Sequence, residues 1–271
     1  MSILKKVINK LRTEKLVPVK CSVESGNILA GKTALIVGGS GGIGKAIAKE
    51  FARQGCNVVI SGRSPEKTKK CCEEIGTEHF VIMDLNDVGS IPEKIAEAAQ
   101  TAGSKIDILV NSSGINGKFK FGSITEEEFD KAMDVNLKGA FFLCQAMGNY
   151  MIENGIKGHI LNISSASALR PAWSPYQISK WAVKGMTIGL ADKLLPHGII
   201  VNAIAPGPVA TEMLGKGEGD SIEMPQQPSK RYAVPEEIAS LAAYMVSDLG
   251  DLIVGDTFYI TGGSGIVSLH H

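Results

Sequence analysis

The chain has 271 residues, 44% of them hydrophobic, enough apolar mass for one substantial α/β core, although length alone would also admit two smaller ones. Lys plus Arg and Asp plus Glu both total 28, so the formal charge is zero and no global field draws the chain to nucleic acid or an acidic polymer. Five cysteines (Cys21, Cys56, Cys71, Cys72 and Cys144) contain no CxxC pair and no metal-ligand spacing, so they read as reduced thiols of a cytosolic protein.

In chain order, residues 1–16 come first. Ile3, Leu4, Val7, Ile8 and Leu11 share one side of a helix, and Lys5, Lys6, Lys10 and Arg12 fall mostly on the other. This basic amphipathic helix belongs to an N-terminal extension, 1–28. It is expected to pack on its own domain or a neighbouring subunit rather than on an acidic membrane. No apolar run approaches the ~20 residues of a membrane span, and the start lacks a secretion signal, so a cytoplasmic protein is expected.

From 29 to 267 short β-branched or apolar runs alternate with longer amphipathic ones. Strands are predicted at 33–37, 57–61, 80–83, 106–110, 158–163, 199–204 and 257–260. Helices are predicted at 45–53, 65–75, 91–101, 126–150, 176–195 and 235–247. The strands are apolar on both faces, which points to a single doubly wound α/β domain with a parallel sheet and helices on both sides. One long irregular stretch, 212–232, interrupts the rhythm between a strand and a helix, and it is expected to be a substrate lid. The last four residues, 268–271, read as a tail left by an expression vector.

The first strand runs into Gly38-Gly-Ser-Gly-Gly-Ile-Gly44 and then a helix. Glycines permit positive φ and close backbone approach, and a helix N-terminus offers free N–H groups to a pyrophosphate. Gly38, Ser40, Gly42, Ile43 and Gly44 are therefore candidate dinucleotide contacts in a Rossmann-like domain. The second strand ends at Gly62-Arg63, with no carboxylate for the adenosine ribose. Gly62 leaves room there, and Arg63 could pair with a 2′-phosphate, so NADP(H) is favoured and NAD(H) remains possible. A solvated arginine after a strand is the plainer alternative. Asp84, beside Leu85, could accept from an adenine amino group or cap the turn that follows it.

Further on, Ser174-Pro-Tyr-Gln-Ile-Ser-Lys180 places a phenol and an ammonium one helical turn apart. If the segment is helical, Tyr176 and Lys180 share a face and the ammonium favours phenolate. A tyrosine ionises near pH ~10, so such a neighbour brings it toward neutral-pH proton transfer. Taken alone, the spacing more often marks a buried ring beside a solvated amine.

Taken together, the GxxxGxG turn, the Asn111-Ser-Ser-Gly114 strand end, Asn136, the Ser164-Ser165 pair, Tyr176-x-x-x-Lys180 and Pro206-Gly207 closely resemble the short-chain dehydrogenase/reductase family over roughly 29–267. The resemblance implies reversible hydride transfer between a nicotinamide and a carbonyl or secondary alcohol. It makes Tyr176 the general acid/base, Lys180 the residue that lowers its pKa and binds the nicotinamide ribose, and Asn136 the holder of a relay water. A serine polarises the substrate oxygen. The usual position, thirteen residues before the tyrosine, is Ile163 here. Alignment on the strand instead selects Ser165, with Ser164 as runner-up, and shortens the loop before Tyr176 by two residues. Asn111, Gly114, Pro206, Gly207, Val209 and Thr211 match cofactor positions, the last two near the carboxamide. Val37, Ser112, Ser113 and Thr261 depart from the residues common at their positions. No metal is required, and the resemblance implies a homo-oligomer, dimer or tetramer, paired through helices 126–150 and 176–195. Phe141, Phe142, Leu143, Trp181 and Met186 on those helices suit either that interface or the monomer core. A dinucleotide-binding sensor or scaffold without turnover is the alternative from another class, and an NAD-linked alcohol or sugar dehydrogenase is the alternative within this one.

Overall fold

The computed structural model describes residues 26–217 and 219–267. The amphipathic helix expected at 1–16 and the tail at 268–271 lie outside them. Seven strands form one parallel sheet: β1 (Thr33–Val37), β2 (Asn57–Gly62), β3 (Phe80–Ile82), β4 (Ile108–Asn111), β5 (His159–Ile163), β6 (Ile200–Pro206) and β7 (Thr257–Ile260), in the order β3-β2-β1-β4-β5-β6-β7. The order reverses between β1 and β4, where open α/β sheets carry their binding crevice.

Side chains alternate along each strand, so neighbouring residues feed different cores. Ala34 and Ile36 of β1 face a layer with Ile47, Phe51, Ile238 and Ala242, whereas Leu35 and Val37 face one with Ile95, Leu143 and Met147. The first layer is covered by α1 (Gly42–Arg53), α2 (Pro65–Ile75) and, after four further helices, a helix at Pro235–Met245. The second is covered by α3 (Ile91–Ala102), α5 (Ala140–Glu153) and α6 (Pro175–Leu194). The Pro235–Met245 helix is α7. None of these helices is long and apolar enough to cross a membrane.

Local chemistry sets the boundaries. Ser64 accepts from the Lys67 N–H at the start of α2, Pro65 occupies its first turn, and Gly76 ends it in the left-handed conformation at φ +82°. Thr125 and Glu128 form a capping box at α4 (Glu126–Met133), and Ser174 and Gln177 form another at α6. The expected continuous helix at 126–150 is instead two helices joined by a π-helical turn, Asp134–Gly139. Apolar periodicity does not register one inserted residue per turn, and such turns concentrate at functional sites. The helix expected from 45 begins three residues earlier, at Gly42. The stretch at 212–232 is irregular as expected, apart from one short 3-10 turn, Glu212–Leu214, and a bridge between Glu223 and Arg231. Arg231 closes that stretch onto α7 by two bonds to Glu237, at 2.6 and 2.8 Å. Cys56, Cys71, Cys72 and Cys144 are buried free thiols.

Candidate active site

Loops leaving the carboxyl ends of β1 to β6 enclose a cleft of about 440 Å³. The glycine turn builds one end. Gly38 has φ +79°, and a Cβ there would stand 2.8 Å from the Ser112 carbonyl. A Cβ on Gly44 would run into the Gly38 carbonyl, so the first turn of α1 rests directly on the loop before it. Side chains at these positions would fill the cradle. Their absence leaves the N-terminus of α1 open to a phosphate, so the residues present fit a dinucleotide.

The outer end of this cradle is polar. Ser40, Arg63 and Lys67 all line it. The room expected at Gly62 is already used: a Cβ there would lie 2.6 Å from the Thr68 hydroxyl and 2.7 Å from that of Ser40. Glycine at 62 thus admits two hydroxyls beside Arg63 rather than leaving a void. Asp84 also faces the cleft, and its Oδ1 accepts from the backbone and side-chain nitrogens of Asn86, each at 3.0 Å. It caps its own turn, one of the two roles open to it from sequence. Leu85 lines the cleft beside it and is pressed against Gly139, where a Cβ would meet the leucine at 2.6 Å.

Tyr176 and Lys180 occupy the other end, and α6 is indeed helical there, so both project into one cleft. Lys180 is 5% exposed and donates to the Ile163 carbonyl at 3.0 Å. Burial without a carboxylate partner pushes its pKa down to about 8. Its Nζ lies 5.7 Å from the centre of the Tyr176 ring. Burial pushes the Tyr176 phenol above its ordinary value, opposed by a hydrogen bond with Ser165. That net direction is opposite to the one expected from the lysine charge alone, because the phenolate loses more by leaving water than it gains here.

The two serines have separate partners. Ser164 is buried and donates to the Lys180 carbonyl at 3.0 Å. Ser165 is half-buried, caps the 3-10 turn Ala166–Leu169 by accepting from the Ser167 N–H at 3.1 Å, and shares the bond with the phenol. Asn136 sits in the π-helical turn. Its amide grips both backbone groups of Ile115, with Oδ1 accepting at 2.8 Å and Nδ2 donating at 2.9 Å. Nδ2 also reaches the Ser179 hydroxyl at 3.3 Å, which donates to the Tyr176 carbonyl at 2.7 Å. Gly114 lies between these groups: a Cβ there would be 3.4 Å from Asn136 Oδ1 and 3.5 Å from Lys180 Nζ.

Beyond β6, Gly207 packs so tightly on Thr261 that a Cβ would meet its carbonyl oxygen at 2.8 Å. Pro206 and Val209 are buried. Thr211 reaches back over α1, its methyl 3.6 Å from where a Gly42 Cβ would be. Gly38, Ser40, Gly42, Ile43, Arg63, Asp84, Leu85, Gly114, Tyr176, Lys180 and Thr211 all line the cleft. Gly44, Asn111, Asn136, Ser165, Pro206, Gly207 and Val209 stand behind or beside its wall. Asn111 is 4% exposed and bonds the Asn162 amide at 3.4 Å, in a buried polar string that continues to Cys144 and Thr187.

Sequence reading missed several participants. Ser179 stands between Tyr176 and Lys180, three residues after the tyrosine, so its share of the same helix face was available. Lys67 stands four residues after Arg63, in the first turn of α2. Met213 and Glu212 line the cleft from the irregular stretch, which carries no period from which their direction could be read.

The profile of the family described as short chain dehydrogenase matches residues 32–220. Among curated relatives, glucose 1-dehydrogenase 2 of Bacillus subtilis is 37% identical over 246 residues, 87% of this chain and 95% of its own. A 3-oxoacyl-(acyl-carrier-protein) reductase of Rickettsia conorii is 35% identical over 240 residues, 87% of this chain and 97% of its own. Among solved structures, a gluconate 5-dehydrogenase of Burkholderia cenocepacia in complex with NADP and tartrate superposes with a TM-score of 0.80 at 29% identity. It covers 89% of this chain and 97% of its own.

Proposed function

Since the chain belongs to the short-chain dehydrogenase/reductase family and is an oxidoreductase, we propose that it reduces a carbonyl to a secondary alcohol at the expense of NADPH, with Tyr176 as proton donor. The observation that carries this reading is the single cleft shared by the phosphate cradle, Tyr176 and a lysine buried without an acid. The cofactor, when bound, supplies a hydride from its nicotinamide to the carbonyl carbon.

The phenol, held above its ordinary pKa, is protonated at neutral pH and gives its proton to the oxygen as negative charge develops there. Lys180, still largely cationic below about 8, offsets the charge left on the phenolate. Ser165 is the hydroxyl that steadies the reacting oxygen. Its bond to the phenol supports this role, and the commitment of Ser164 to the Lys180 carbonyl supports the choice between them. Asn136 keeps the relay position by fixing Ile115 and, through Ser179, the backbone of Tyr176.

NADPH is preferred over NADH on the strength of Ser40, Arg63 and Lys67 around the expected 2′-phosphate position. The cradle of 38–44 would hold the pyrophosphate, Asp84 and Leu85 would flank the adenine, and Gly114 and the segment 206–211 would border the nicotinamide. The domain is 29–267, with 212–232 as its lid. A cytosolic setting is supported by the four buried free thiols. Pairing into a homo-oligomer through α5 and α6 is supported by Phe141, Trp181 and Ile188, which are 40%, 42% and 54% exposed on those helices. The test is NADPH oxidation over a panel of ketones by wild type and Tyr176→Phe. Turnover should fall by about 10²- to 10⁴-fold in the variant. Equal turnover in both would refute the assignment, and saturable NADPH binding with no turnover of any ketone would identify a sensor instead.

A further inference from the structure

Two exposed aromatic rings meet on loops that lead away from the site, just outside the cleft lining. Phe121, on the loop after β4, is 80% exposed, and Trp173, on the loop after β5, is 46% exposed. Their centroids are 6.2 Å apart with planes at 76°, an edge-to-face corner. Both loops are tied to the reacting groups. Trp173 precedes Tyr176 by three residues, and its backbone N–H donates to Gln177 Oε1 at 3.1 Å, within the cap that starts α6. The loop carrying Phe121 leaves the site at Ile115, gripped by Asn136. Met213, 60% exposed, lines the cleft itself from the irregular stretch 212–232.

Exposed apolar rings that adjoin one another mark a ligand groove or an interaction surface. A corner of two perpendicular rings receives a flat group well, stacking it on one ring and meeting it with the edge of the other. A polyhydroxylated substituent would lose hydrogen bonds to water there, and the phenyl ring of Phe121 could replace none of them. Resting on the reading of Tyr176 as proton donor, we propose that Phe121 and Trp173 determine specificity and that the substrate is a ketone bearing a flat apolar substituent, not a sugar-like ketone.

The test compares acetophenone with fructose as NADPH-dependent substrates of wild type, Phe121→Ser and Trp173→Ser, with thermal unfolding recorded for each. Wild type should prefer acetophenone. Each variant should lower the acetophenone-to-fructose ratio of kcat/KM about tenfold, with the loss in KM rather than kcat, as removal of a stacking surface requires. Preference of the wild type for fructose, or an equal decline for both ketones in the variants, would overturn the proposal. Quenching of tryptophan fluorescence by acetophenone, measured on NADPH-saturated Tyr176→Phe, separates it from the parent reading. Quenching that Trp173→Ser abolishes supports the corner even if proton transfer is misassigned. Failure of acetophenone to quench, beside intact Tyr176-dependent turnover of fructose, refutes the corner alone.

Discussion

His159 and Ile163 are the first and last residues of β5, about 13 Å apart at the rise of a strand. Each end holds a basic side chain that is 5% exposed, His159 itself and Lys180 on the Ile163 carbonyl. At the amino end, acids surround the base: Asp251 lies 3.3 Å from His159 Nε2, and Asp248 pairs with Lys32 at 2.7 Å. Desolvation, with Lys32 adding to it, still pushes His159 down to about 4, so it is neutral at physiological pH. At the carboxyl end no carboxylate approaches Lys180 among the described residues, and a carbonyl is its partner. A carboxylate there would fix the lysine charge permanently. A carbonyl leaves it responsive to the phenol beside it. The same strand thus carries stability at one end and a tunable charge at the other.

Substitution at the carboxyl end should therefore damage turnover while sparing the fold. Lys180→Met is expected to reduce kcat/KM for ketone reduction by about 10²- to 10³-fold. Its Tm should stay within about 3 °C of wild type, since relief of a buried cation offsets an Ile163 carbonyl left without its donor. Steady-state kinetics beside calorimetry checks both halves, and a large fall in Tm would break the contrast.

The amino end should behave in reverse. A base whose pKa is lower in the folded than in the unfolded chain contributes stability that is complete above the unfolded value and lost as pH falls toward the folded one. For His159 the window runs from 6.5 down to about 4, worth about 3 kcal/mol at its full extent. Denaturant unfolding at pH 7 and pH 5 should show this acid loss in wild type and a flatter profile in His159→Met, with NADPH-linked turnover at pH 7 retained.

Two smaller effects sharpen the contrast. Arg63→Ala should weaken NADPH binding about tenfold and leave NADH binding nearly unchanged, read by protein-to-NADPH fluorescence transfer. An equal loss for both cofactors would remove Arg63 from the 2′-phosphate. Asp248→Asn, which breaks a pair whose carboxylate is exposed, should cost at most about 1 kcal/mol and less in high salt.

Much of this was legible in the sequence because it rests on periodicity and glycine. The continuous apolar run of Thr33–Val37, which suits a strand covered on both faces, and the helical spacing after Tyr176 follow from side-chain direction alone. The glycine turn was legible because close approach and positive φ admit few other residues. The π-helical turn was hidden, since one extra residue in a turn leaves the composition of an amphipathic helix unchanged. The direction of the Tyr176 shift was hidden too, because it depends on desolvation, which residue spacing does not encode. The separate partners of Ser164 and Ser165 turn on which hydroxyl the backbone just past β5 aims at the Lys180 carbonyl, a difference of one residue that spacing does not resolve.

The grip of Asn136 on both backbone groups of Ile115 gives a loop the bonding of a strand. Amide hydrogens in surface loops trade with solvent deuterium quickly, whereas that of Ile115 must wait for the π-helical elbow to open. The loop that carries Phe121 is therefore tethered at a fixed post on the cleft that holds Tyr176 and Lys180.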